Sequence, residues 1–212
     1  MKRIDLRGQT WLEHLPGSGG WYWSMDYTSG DLYEAEELYD LGRKIPCNRL
    51  LLVKSPEGRV AEPLPARAGQ YFGRPLWHEG AIFILTADFP AGKLYIRAFD
   101  PRTEQLRDVA ELGREMVKDC YNLQLHASPL CLTRQGGENR FQIVWPEQAD
   151  FAIAPQESFD FRDGDRLYFA RWYEDPDYRE EVIVRRIADG RVTDSYPGTV
   201  YTLPDGSRWH LV

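Results

Sequence analysis

No apolar run in this chain reaches the roughly 18 residues that a membrane-crossing helix requires. The opening "MKRIDLRGQTWLEHL" is basic but has no apolar stretch behind it, so a secretory leader is not expected. Cysteine is scarce: Cys47, Cys120 and Cys131 make an odd count without a CxxC spacing. That pattern reads as free thiols in a reducing compartment, and the expected location is cytoplasmic. Positive charge is also short. Lys and Arg total 26 against 33 Asp and Glu, a net charge of −7, and no basic cluster exceeds "GRK" or "VRR". An extended phosphate-binding surface is thereby excluded, so neither nucleic acid nor membrane is expected as a partner.

Chemical motifs are equally sparse. His14, His78, His126 and His210 show no HxH or HExxH spacing, so no metal is expected. His78 and His126 fall at hairpin turns, where solvated imidazoles are expected. The acid runs "EAEEL" and "YEDPDY" lack the spacing of a calcium loop. No GxSxG occurs, and Ser128 in "HASP" has a histidine nearby in sequence only. "GSGG" at Gly17 to Gly20 lacks the Lys-Ser/Thr of a phosphate loop and reads as a linker. No cofactor is expected, and no motif names a reaction.

What the chain does have is apolar and aromatic content, 42% and 13% with seven Trp, too much for disorder. It also has a rhythm. Apolar strands lead into tight turns and more polar strands at "SPEG" around Gly58, "DPRT" around Pro101, "WPEQ" around Pro146 and "IADG" ending at Gly190. These turns recur about every 43 to 45 residues, the spacing of four-stranded propeller blades. Proline presets φ near −65° and glycine accepts positive φ, which is why these residues punctuate the strands.

A second set of hairpins lies between the first, with Asp163-Gly164 and Asp205-Gly206 as its clearest turns. Alternating the two sets predicts an all-β, single-domain chain over residues 1–212. It reads as a five-bladed propeller of four-stranded antiparallel blades, at about 20–65, 66–113, 114–156, 157–197 and 198–212 plus 1–17. The N-terminal strands are expected to complete the last blade and remove an exposed edge. Continuous apolar runs at Leu50 to Val53, Ala81 to Leu85 and Val182 to Val184 mark strands covered on both faces. Two segments pull the other way. The repeat makes Asp31–Lys44 strand, with helix as the alternative, since Leu32, Ala35 and Tyr39 lie near helical spacing and Gly42 could cap a C-terminus. "VAELGREMVKDC" accommodates a helical turn. Were helices to dominate there, an irregular β-sandwich or α+β fold would be the alternative.

Function is expected on the loops joining second to third strands and blade to blade, because loops carry function more often than scaffold does. Aromatic and basic residues converge there by inference: Trp21, Trp23, Arg43, Tyr71, Tyr121, Trp172 and Arg179 form the expected binding surface. The primary reading is a non-catalytic binding or scaffold module for a peptide, protein or carbohydrate. The alternative is a small carbohydrate-active hydrolase or lyase using Asp26, Asp119 and Asp160, since that chemistry needs a pair of carboxylates. "YEDPDY" resembles the Arg-Asp-Pro element of invertase-like hydrolases, with Glu174 where that element has arginine. Their Asn-Asp-Pro-Asn element is missing.

Overall fold

The computed structural model describes residues 1–43, 47–127, 129–203 and 206–212. Ser128, Lys44 and the Asp205 of the last predicted turn therefore lie outside the described residues. The chain is all-β: strands dominate, joined by one α-helix and one short 3₁₀ turn among the described residues. Contacts divide it into two compact units, Met1–Leu125 and His126–Val212.

The first unit holds two antiparallel sheets. One runs in chain order through β1 (Glu13–His14), β2 (Trp21–Met25), β3 (Leu50–Lys54) and β4 (Arg59–Ala61). The other comprises β5 (Gln70–Phe72), β6 (Leu76–His78), β7 (Ala81–Asp88), β8 (Lys93–Asp100) and β9 (Gln105–Gly113), with β5 and β6 both pairing β7. The expected two-sided burial is present, since Leu50–Val53 and Ile82–Ala87 are buried throughout while β9 is half exposed. Trp21, Trp23, Met25, Leu50, Leu52, Phe72, Ile82, Ile84 and Phe99 form one cluster, so the two sheets share a core.

Between β2 and β3 the chain makes a helix, α1 (Leu32–Asp40). The Asp31 carboxylate accepts from the backbone N–H groups of Tyr33 and Glu34, which satisfies two donors the first turn leaves open. At the other end Gly42 takes φ +64. Its N–H donates to Tyr39 O and that of Arg43 to Leu38 O, the double closure of a Schellman motif. The helical alternative thus prevails within Asp31–Lys44, and "VAELGREMVKDC" contains the 3₁₀ turn Arg114–Met116.

The N-terminal segment corrects an expectation. It does not complete a sheet with the C-terminal hairpin: Glu13 and His14 pair with Trp23 and Tyr22 of β2. Arg7 pairs with Glu62, and the Lys2 ammonium lies against the carbonyls of Pro56 and Glu57, so the segment runs along the first sheet. The turn foreseen at Gly8 is present, but no strand precedes it among the described residues. β2 already offers a free edge beside its own connection, and so short a loop as Leu15 to Gly20 makes that pairing entropically cheap.

In the second unit, one sheet contains β10 (Gln124–His126, which begins at the boundary), β11 (Cys131–Gly136), β12 (Arg140–Trp145) and β13 (Ala149–Ala152). Another contains β14 (Glu157–Asp163), β15 (Arg166–Tyr173), β16 (Arg179–Arg186) and β17 (Val192–Pro197). Phe141, Ile143, Phe151, Leu167, Phe169 and Ile183 knit these two together. A two-stranded hairpin, β18 (Thr199–Thr202) with β19 (Arg208–Leu211), ends the chain.

Candidate functional site

The connection from β2 to α1 is the least regular part of the first unit. Tyr27 and Ser29 adopt φ +61 and +48, and Gly30 follows at +86. Left-handed backbone at non-glycine residues is uncommon, and it collects where the surroundings over-determine the chain. Here they do. Asn48, fully buried, donates its amide to the Asp26 carbonyl at 2.7 Å and accepts from the Phe72 N–H at 2.8 Å. A side chain at Gly30 would meet the Arg74 backbone at 2.8 Å, so only glycine permits this approach of the loop to the β5–β6 turn.

Beside this loop is a cleft of about 380 Å³. Leu32, Leu76, Leu85, Leu123 and Leu125 supply its apolar lining, and Asp31, Arg74, Asn122 and Gln124 its polar lining. α1 fixes one wall. Its buried Glu36 accepts the Cys120 N–H at 2.7 Å and pairs with Arg114, which holds the chain from the 3₁₀ turn to Leu123 against the helix. Tyr121 packs edge-on against Tyr33 at 5.1 Å, just outside the lining. Arg74 is exposed and has no ion-pair partner among the described residues. A lining of five leucines with one cation, one acid and two amides suits a ligand with an aliphatic body and a polar end.

The expected binding residues separate. Trp21, Trp23 and Tyr71 belong to the core, each at most 3% exposed. Trp23 meets the Trp11 ring edge-on at 5.0 Å, and Tyr71 packs near Phe89 at 5.5 Å, with its hydroxyl pKa raised chiefly by burial. Tyr121 is 40% exposed beside the cleft, and Arg43 is exposed just past the end of α1. Trp172 and Arg179 lie on the second unit, where the Arg179 guanidinium covers the Tyr173 ring at 4.1 Å. Trp21 and Trp23, two residues apart on β2, are both buried, with Tyr22 between them half-buried.

Sequence reasoning missed Arg74, Asn122, Gln124 and the five leucines. The one local signal is "FGRPL", an arginine between a glycine and a proline that interrupts two apolar runs. Nothing in spacing alone joins it to Asn122.

The candidate acids are occupied individually. Asp26 accepts the Arg49 N–H, Asp119 accepts the Tyr121 N–H, and Asp160 lies on the second unit near Arg208. His126 corrects the expectation of a solvated imidazole. Its Nε2 lies 2.9 Å from the Thr133 hydroxyl, its ring meets Phe159 edge-on, and burial holds its pKa down to about 4. Cys131, which unlike the half-buried His126 is fully buried, has its thiol pushed up to about 11, again by burial first, which leaves it protonated and unreactive at neutral pH. Among the described residues no three His, Cys, Asp or Glu gather as a metal cage.

No protein-family model matches this chain, and no curated protein or solved structure gives a significant match.

Proposed function

We propose that the chain is a non-catalytic binding module that takes an aliphatic side chain of a peptide or protein segment into the cleft beside α1. The observation that carries this reading is a leucine lining beside Arg74, which has no ion-pair partner among the described residues. Burying one aliphatic side chain there contributes about 1.5–3 kcal/mol, and Arg74 adds directionality toward a carboxylate or carbonyl. A carbohydrate fits less well, because no aromatic ring lines this cleft to stack on a sugar face.

Panning a random peptide library on the full chain tests the reading. Enriched peptides should share an aliphatic residue beside an acidic group, and Arg74→Ala and Leu76→Glu should each weaken them at least tenfold. Peptides that bind both variants as well as the parent chain would sink it.

The succession of antiparallel sheets we further read as propeller blades.

A further inference from the structure

A second cleft in the first unit, sharing no lining residue with the first, is built from hairpin turns. Its volume is about 490 Å³, and it is lined by Trp21, Trp77, Lys54, Arg59, Arg102 and the Glu79–Gly80 turn with Pro101. Three cations and two indoles line it with one acid, Glu79, while two further acids, Glu104 and Asp100, pair with Arg59 and Arg102 from beside the lining. The turns that present them are held tightly. The Asp100 carboxylate accepts the Arg102 N–H at 2.8 Å, and Glu79 and Gly80 both take positive φ, at +46 and +84.

The basic groups keep capacity for a ligand. Lys54 donates to the Gly19 carbonyl at 2.9 Å and has further ammonium hydrogens. Arg59 pairs with Glu104, both about half exposed, and its Nη2 donates to the Pro101 carbonyl at 3.3 Å; surface ion pairs of that kind are readily exchanged. Arg102 is 87% exposed and uses only its backbone N–H and Nε toward Asp100, at 2.8 and 3.4 Å. The ring of Trp21 is already covered by Lys54 and Arg59, at 5.8 and 5.6 Å from its centroid. Trp77, half-buried at the edge of the core, also lines the cleft.

The geometry points to a site for a small phosphate monoester carrying a flat ring, of mononucleotide size. A phosphate dianion has oxygens enough to accept from Lys54, Arg59 and Arg102 together, exchanging with the exposed carboxylates of Glu104 and Asp100, whereas a carboxylate is satisfied by one guanidinium. The ring stacks on Trp77. Electrostatics and stacking act on opposite ends of the ligand, so neither half alone should hold it well.

Calorimetric titration of the whole chain with adenosine 5′-monophosphate, adenosine and inorganic phosphate tests this. The monophosphate should bind at least tenfold more tightly than either half. Arg102→Glu, a fully surface change, should weaken it at least tenfold and steepen no other transition. Trp77→Leu should cost about tenfold, the scale of one lost base–aromatic stack. Absence of monophosphate binding, or affinity no better than phosphate alone, overturns the proposal. So does binding that Arg102→Glu leaves unchanged.

Discussion

Arg185 grips the carboxylate of Glu157 with two nitrogens, Nε and Nη2 each donating at 3.0 Å, although Glu157 is only 2% exposed. The pair ties β14 to β16 across β15, and Arg185 also reaches the Gly190 carbonyl at 2.6 Å. Removing one partner strands a buried charge. Arg185→Met should therefore destabilise the second unit by about 3–5 kcal/mol, while the double variant with Glu157→Leu should recover a large part of that. Urea unfolding of the four chains of this cycle measures it, and additivity would contradict the coupling.

Gly190 closes the β16–β17 turn at φ +67, and a methyl there would overlap the Phe151 ring. Gly190→Ala meets both backbone strain and a packed aromatic core, so a loss of more than about 2 kcal/mol is expected. Thermal unfolding should show it. A neutral outcome would mean that Phe151 moves without cost.

His126 links stability to pH in a definite direction. Its native pKa of about 4 lies below the ordinary value of 6.5, so the unfolded chain binds the extra proton between those two points. The contribution is fully present above pH 6.5 and is lost as pH falls toward 4, a change on the order of 3 kcal/mol. His126→Gln should flatten the stability profile in that window relative to the parent, measured by urea titration at several pH values. Parallel profiles would refute it.

Asp31 supports α1 and one wall of the leucine-lined cleft together. Asp31→Ala should cost about 1 kcal/mol, and Asp31→Asn or Asp31→Ser much less, because each retains a capping oxygen. Amide hydrogen exchange at Tyr33 and Glu34 reads this locally. Equal protection in the alanine and serine variants would show that the cap does not hold the helix.

Much of the scaffold was legible because the signals are local. Turn chemistry at Gly58, Pro101, Pro146 and Gly190 needs no knowledge of the rest of the chain, and each of these turns joins neighbouring strands. The run Leu50–Val53 declares two-sided burial by composition alone. Asp31–Lys44 was ambiguous for the same reason: its apolar spacing suits a helix, while its place between hairpins suits a strand. Tertiary contact resolved it, through Glu36 turned inward to Arg114 and the Cys120 N–H.

The candidate sites were much less legible. Trp21, Trp23 and Tyr71 carry no mark in the sequence that separates a packed ring from an exposed one. Arg74, Asn122 and Leu123 come together only because the β5–β6 turn and the segment after β9 both pack beside α1.

The sequence by itself determined the all-β class, the turns and the doubly covered strands, since alternation, proline and glycine act within a few residues. The tertiary structure decided where the N-terminal segment pairs, which rings are sequestered, and which leucines and cations share a cleft. Those outcomes depend on contacts between residues far apart in the chain, and no local preference encodes them.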